Sequence, residues 1–521
     1  MALYNREGAR RALFHTVGFR VLSQVATVLG YIVLVRGMSV FALGLYSLLY
    51  SVIPVIGAVV SLGLDQVLRR FQPEYLQAGN TRGSAWLVRF VTIARLISSV
   101  ALIVLLLLAW NLVAPLFQLQ SHRADFALLS VVVVLYFQLI ILQNSLAAHM
   151  LHRYSVGSAV VLSVGKLLAY SALLVSHGLT LQRAILADTA AYFGAYAFLY
   201  IAHWRLCRPE RSLEGYRPSA DERKRIQRFA ILSNFSDASS LLLYVQTDNF
   251  FIAALMNPIA VGTYAFYARL NEMTLNLIPI RLFENVVQPL LFSVRREEAG
   301  ERLPRYFTLL VNVSLLVQLP LIAYTAAYHH EIVQLLFGGK FIDHSSLLPL
   351  IVAFAISDNV ISTPVTMVAQ YTEQAAIILK SQLFGLYQIA AMLTLIPILG
   401  LYGAAAATGT LHLFRNAYVW WRVRRYAHWV NWAPALASGA GIWGAAIGTC
   451  YALRAATNLS PILNLISGAI ICGFAAMIYI RGPALTRSDR EILAGVLHGR
   501  ESRILGWLGL VPAGQLPKGN A

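Results

Sequence analysis

Fourteen stretches of this chain are each long and apolar enough to cross a lipid bilayer as a helix. They lie near residues 13–35, 42–64, 86–109, 127–149, 156–176, 184–204, 229–256, 262–292, 306–328, 347–370, 376–396, 401–420, 434–455 and 462–480. A bilayer core about 30 Å thick needs roughly 20 such residues per helix. Inside it every backbone N–H and C=O must be paired within the segment, so helices are the expected solution. The chain therefore reads as an all-α polytopic membrane protein. Only 12% of its residues are charged, about half of the ~25% usual in soluble domains. The stretch 262–292 is interrupted at Pro279 and reads as a kinked span.

The first span exceeds the ~7–15 apolar residues of a signal peptide and runs into Arg36 without a cleavage site, so it reads as a retained helix. Three cysteines, Cys207, Cys450 and Cys472, are too few and too scattered for a disulfide framework or a CxxC metal site.

The net charge of +18 has a spatial explanation. With the N-terminus cytoplasmic, 28 basic residues fall in segments on that side and 5 on the other. The positive-inside rule then places both termini in the cytoplasm. Because the basic clusters occupy every second loop, topology accounts for them and nucleic-acid binding is not expected.

No loop is long enough to fold as a domain. The longest internal loop, 205–228, holds the capping box Ser219-Ala-Asp-Glu222, which opens a short basic helix toward the seventh span. The tail 481–521 carries a second box, Ser488-Asp-Arg-Glu491, and a weak amphipathic signal. There is no GxxxxGK[ST], HExxH or GxSxG. His149 and His152 bracket a turn without a nearby carboxylate, so no metal site is expected, and no cofactor is implied. The protein reads as a transporter and not an enzyme.

The chain also repeats itself. Phe41-Ala-Leu-Gly44-Leu-Tyr46 is answered by Ile259-Ala-Val-Gly262-Thr-Tyr264, and Gln72-Pro73 by Gln288-Pro289. Pro115-Leu-Phe117 is answered by Leu335-Leu-Phe337, and Gly178-Leu179 by Gly400-Leu401. The offsets are 218, 216, 220 and 222. Six spans per copy is an even number, so both copies share one orientation and a pseudo-two-fold axis along the membrane normal relates them. This divides the chain into an N-lobe (1–204), a linker (205–228), a C-lobe (229–425), two extra spans (426–480) and a cytoplasmic tail (481–521).

The run Gly37-Met-Ser-Val-Phe-Ala-Leu-Gly44-Leu-Tyr46, followed by Gly63-Leu64, Arg70 and Pro73-Glu74-Tyr75, resembles the start of Wzx-type polysaccharide flippases. These belong to the superfamily that also holds the MATE drug exporters and the lipid II flippases. The resemblance is best over 13–80 and weaker through about 425. It implies two six-helix lobes around a central cavity, and outward movement of undecaprenyl-diphosphate-linked oligosaccharide across the bacterial inner membrane for surface polysaccharide synthesis. It also implies polysaccharide polymerase or assembly proteins as partners.

Charged groups within spans cost roughly 2.5–3.5 kcal/mol on insertion scales, so they face a cavity or a partner. In the first span Thr16, Arg20, Gln24, Thr27 and Tyr31 share one helical face. Asn234, Asp237, Tyr244 and Asp248 do so in the seventh, and Arg269, Glu272 and Asn276 in the eighth. Arg20, Gln24, Tyr31, Arg95, Arg269 and Asn276 are thus the expected substrate contacts, with Asp237, Asp248 and Glu272 coupling transport to H⁺ or Na⁺. The bland alternative is that they pair with each other, for instance Arg269 with Asp237 or Asp248. Lys166 and Lys380 also lie within spans, as do Asp188 and Asp358 with Asn359, the acids as ion sites or as glue. Arg89 lies close enough to the inner face to snorkel. A MATE-like cation antiporter is the rival transporter, and a membrane polymerase or ligase the rival enzyme.

Overall fold

The computed structural model describes residues 6–207, 216–241, 245–275, 291, 294, 297–430, 432–457, 459–482 and 484–496. Among them the secondary structure is helical, with no strand. Eleven helices among the described residues are long and apolar enough to cross a membrane. The chain is a multi-pass membrane protein. It divides into two compact units, 1–265 and 266–521.

In the first unit the spans are α1 (Arg6–Gly37), α2 (Val40–Val60), α4 (Thr81–Leu108), α5 (Arg123–Ala148), α6 (His152–Val175) and α7 (Leu181–Leu206). Helix α1 packs alongside α6 in the same direction: Ser23 donates to the Ala159 carbonyl at 3.2 Å, and a methyl at Gly30 would meet Leu167. Two spans that run the same way must be separated by an odd number of crossings, and α2, α4 and α5 supply three.

Between α2 and α4 lies α3 (Leu64–Gln77), a helix with two characters. Leu64, Val67, Leu68, Phe71 and Tyr75 are buried at helical spacing, while Arg69 and Arg70 are exposed. That stripe packs with Leu87 and Val91 of α4, Ile141 of α5 and Ile226 of α8 (Ala220–Ser240). The turn into α3 requires Gly63: its φ is +67°, and a methyl there would fall on the Ala230 carbonyl.

The seventh predicted span covers two described helices, with residues 242–244 between them outside the described residues. Helix α8 starts nine residues earlier than expected, at its Ser219 cap, and α9 (Val245–Leu255) comes next. Thr247 of α9 donates its hydroxyl to the Leu241 carbonyl at 2.8 Å. A side chain that reaches back to the backbone offers an alternative to the helical ladder. The eighth span begins as α10 (Pro258–Leu275); its predicted kink at Pro279 lies outside the described residues.

In the second unit α11 (Ala299–Phe337) runs past both predicted ends and kinks at Tyr328. The tenth span is built from α12 (Leu347–Phe354), a π-turn at Ser357–Ser362 and α13 (Thr363–Tyr371). Beyond α14 (Ala375–Ser381) come α15 (Phe384–Leu399), α16 (Leu401–Val423), α17 (Trp432–Ala456), α18 (Pro461–Arg481) and α19 (Arg487–Val496). Three of the fourteen sequence spans, the seventh, eighth and twelfth, are not among the eleven. The twelfth, α16, is a continuous 23-residue helix that carries His412, Arg415 and Asn416.

Candidate functional site

Within the first unit a buried ion pair is built on Asp188 of α7, which is fully buried. Tyr46 of α2 donates its hydroxyl to this carboxylate at 2.8 Å, and Tyr50 and Tyr170 do the same. Lys166 of α6 adds an ammonium at 2.9 Å. A carboxylate has about four lone-pair sites, and here four donors fill them. Lys166 also stands 4.7 Å from the Tyr192 ring centroid and 5.8 Å from that of Tyr50, so ring quadrupoles share its charge. Tyr46 and Tyr50 meet Asp188 together because they are one helical turn apart on α2.

A second buried carboxylate, Asp248 of α9, accepts from Tyr264 of α10 at 2.8 Å. Its neighbour Asn249 donates to Ser51 of α2 at 2.7 Å. Tyr46 and Tyr264 are equivalent in the 218-residue repeat. Each holds a buried aspartate, one in α7 and one in α9.

The repeat's glycines meet directly. A methyl on Gly44 would fall on the Pro258 carbonyl, and one on Gly262 would lie 3.1 Å from the Val40 carbonyl and 2.9 Å from Gly44 Cα. Val40 and Pro258 are also 218 apart. Residue 40 of one copy thus touches 262 of the other, and 258 touches 44. Such reciprocity is the signature of a two-fold contact, here between α2 and α10.

The expected substrate and ion contacts fall as follows. Arg20, Gln24 and Tyr31 are half-buried on α1, and Arg20 lies within electrostatic range of His152 at the start of α6. Arg95 is buried in the first unit, 3.5 Å from Asp65 and with its guanidinium 4.3 Å from the Phe137 ring centroid. In the second unit Arg269 pairs with Glu272, one turn on along α10, at 2.7 Å. Asn276 and the side chain of Asp237 lie outside the described residues, as does Tyr244.

The second unit holds a further polar network around Asp358 and Asn359, whose partners Gln318, His412 and Asn416 the sequence did not point out. Gln318 of α11 donates to the Val352 carbonyl at 2.9 Å and accepts from Asn359 at 3.0 Å. Asn416 of α16 donates to the Ser357 carbonyl at 3.0 Å, and Asp358 lies 3.5 Å from His412. All of it gathers on the π-turn, a feature found often at functional sites. The hint in the sequence was the run Ser357-Asp-Asn359 inside an otherwise apolar span.

Outside the spans, α3 and α8 are joined by charge. Arg225 grips Glu74 through both nitrogens, at 2.7 and 3.0 Å, and Arg70 adds a contact at 3.1 Å. The hydrogen bonds from Arg225 hold the Glu74 carboxyl below its ordinary range. Tyr75 donates to Glu222 at 2.6 Å, and Glu222 and Ser219 close the predicted capping box. Among the described residues no group of His, Cys, Asp and Glu is arranged to hold a metal ion.

A family model described as polysaccharide biosynthesis protein matches residues 33–346, more than half of the chain. No curated protein matches the chain significantly in sequence. Among solved structures, the inward closed conformation of the lipid II flippase MurJ is similar, with a TM-score of 0.64 and 12% identity over 89% of this chain and 97% of that one. An inward-facing multidrug resistance MATE family transporter of the MOP superfamily has a TM-score of 0.63 and 16% identity, over 80% of this chain and 98% of its own. At such identities the likeness establishes a shared fold.

Proposed function

The chain belongs to the polysaccharide biosynthesis protein family, and from that membership we propose that it is a flippase that exports undecaprenyl-diphosphate-linked oligosaccharide across the bacterial inner membrane. The family match carries the reading, and a multi-pass fold shared with a lipid II flippase supports it. A lipid-linked sugar has a large polar head that must cross while its tail stays in lipid. A cavity between an N-lobe (1–204) and a C-lobe (229–425) would carry the head, and rocking of the lobes would alternate its access. The linker 205–228 and both termini are cytoplasmic in this reading, with 426–480 forming two extra spans.

Arg20, Arg95 and Arg269, with Gln24, Tyr31 and Asn276, are assigned to the substrate. A guanidinium fork matches phosphate oxygens bidentately. Asp237, Asp248 and Glu272 are assigned to H⁺ or Na⁺ coupling. Phosphate that engages Arg269 releases Glu272 from its present partner, and the freed carboxylate then takes a proton more readily. An anion leaving a negative-inside cell gains about 2.3 kcal/mol per charge per 100 mV. The protein transports and does not catalyse, and polysaccharide polymerase or assembly proteins act on what it delivers.

A strain lacking the protein is expected to accumulate lipid-linked oligosaccharide on the inner leaflet. Arg20→Ala and Arg269→Ala should abolish export at normal protein levels, with Lys at each position restoring it in part because charge returns without the fork. Normal export by both Ala variants overturns the residue assignment. Unchanged lipid-linked intermediates in the deletion strain, with loss of a drug- or cation-efflux phenotype instead, overturn the flippase reading in favour of a cation antiporter.

A further inference from the structure

Helix α4 carries three arginines, Arg82, Arg89 and Arg95, and no acidic residue. Arg95 points inward and is balanced by Asp65 and Phe137. Arg89 is different. Its side chain is exposed on the outer face of a membrane-spanning helix, and it makes no hydrogen bond or ion pair with any described residue. It lies eight residues into α4, about 12 Å along the axis at ~1.5 Å per residue. A guanidinium at that depth attracts an anion.

Beside it is a groove of about 500 Å³, lined among the described residues by Trp86, Arg89, Phe90, Ile93, Ala94 and Ile97. The shape follows from the sequence. These positions form one stripe of α4 at spacings of 3, 1, 3, 1 and 3, and the small Ala94 sits between Phe90, Ile93 and Ile97. The walls beyond Arg89 are apolar: Phe90, Ile93 and Ile97 are all exposed. Toward the start of α4, Trp86 stacks on Phe90 at 5.4 Å and faces Tyr216 at 6.2 Å, the kind of aromatic pairing found at headgroup depth. From its polar end inward the groove thus presents aromatic rings, one cation, then a hydrocarbon trough.

We propose that this groove on α4 is a binding site for one anionic glycerophospholipid, its phosphate held by Arg89 and one acyl chain lying along Phe90, Ala94 and Ile97. The lipid comes from the leaflet nearer the start of α4. Charge complementarity selects the headgroup, because one guanidinium that no acid among the described residues pairs with offsets one phosphodiester charge. A zwitterionic headgroup brings its own cation and gains less. The site does not depend on the transport reading, since a resident lipid is required by neither a flippase nor an antiporter.

The test is native mass spectrometry of the full-length protein released from detergent with phosphatidylglycerol, with phosphatidylcholine of the same chains and with glycerol phosphate as separate probes. The wild type should retain one phosphatidylglycerol that resists competition by phosphatidylcholine and is not replaced by glycerol phosphate. Arg89→Ala should bind that lipid roughly tenfold more weakly, the loss of one charge-assisted contact, and Arg89→Lys should fall between. Ala94→Phe fills the trough while keeping the charge and should displace the lipid as well. Ile97→Gln, a milder change, covers the case in which Ala94→Phe does not fold. Equal phosphatidylglycerol retention by the wild type, Arg89→Ala and Ile97→Gln would overturn the proposal. So would equal retention of the two lipids by the wild type. Binding of glycerol phosphate alone would reduce the site to a surface anion contact and overturn the role of the trough.

Discussion

Asp188 shows how a single side chain decides what its neighbours must be. A carboxylate removed from water is tolerated only when its lone pairs are filled, and here an ammonium and three phenols fill them. Removing one member of such a pair leaves a bare charge, which typically costs ~3–5 kcal/mol. Lys166→Met is therefore expected to lower the Tm sharply, and Lys166→Met combined with Asp188→Asn to recover most of the loss. Thermal unfolding in detergent measures both, and a double variant as unstable as the single one would refute the account. The sequence displayed the two charges but not their meeting, because 22 residues separate them and they stand on different helices. Arg269 is the opposite case. Its partner Glu272 stands three residues along the same helix, within reach by spacing alone, whereas the sequence reading offered it Asp237 or Asp248 as partners.

At the level of elements, the helices were legible where hydropathy and helical period agree, as in α1, α2 and α4 to α7. They were less legible where polar side chains interrupt the apolar run. Asn234, Ser236, Asp237, Ser239 and Ser240 lie in the last turns of α8. Periodicity reads such residues as a polar face and carries no mark of where α8 ends.

The contact between α3 and α8 makes a prediction about pH. Because Arg225 lowers the Glu74 carboxyl, the bond's contribution is present above the unfolded carboxylate range, near pH ~4.3, and is lost as pH falls through the lower folded value. Both groups are half-exposed, so the effect should be small and should fade in ~1 M salt, where the Debye length is ~3 Å. The protection factors of the α3 amides, each taken against the intrinsic exchange rate at the same pH, are expected to fall in acid for the wild type. In Arg225→Gln that acid step should largely vanish. The glycine crossing predicts a larger effect. Gly44→Ala drives a methyl into the Pro258 carbonyl, an overpacking of ~1–3 kcal/mol or more. Gly194→Ala, with nothing within 4 Å, should change stability by less than ~0.5 kcal/mol. A comparison of their melting curves decides it.

For the whole molecule, length and charge give fourteen expected crossings and an expected side for each loop, and eleven of the described helices are long and apolar enough to cross a membrane. Helices α1 and α6 run the same way in the structure, in keeping with both being outward crossings. The expected orientation puts the start of α8 in the cytoplasm. A cysteine at Arg217, with Cys207, Cys450 and Cys472 buried, should react with an impermeant maleimide only in inside-out vesicles. Reaction in intact spheroplasts would reverse the orientation and with it the outward direction of transport. The family-defining region 33–346 spans the repeat junction, so the match does not rest on one half of the chain.

The reciprocal meeting of Gly44 and Gly262 has a further consequence, for descent. When a coding segment duplicates, the copies are ordinarily free to drift apart, since a change in one leaves the other untouched. Here each copy's glycine is the floor on which the other copy's backbone rests. A larger residue in either half disturbs the same crossing, so neither half gains freedom from the existence of its twin. The two positions are inherited as one, and a library that randomises residues 44 and 262 together should return small residues at both or at neither.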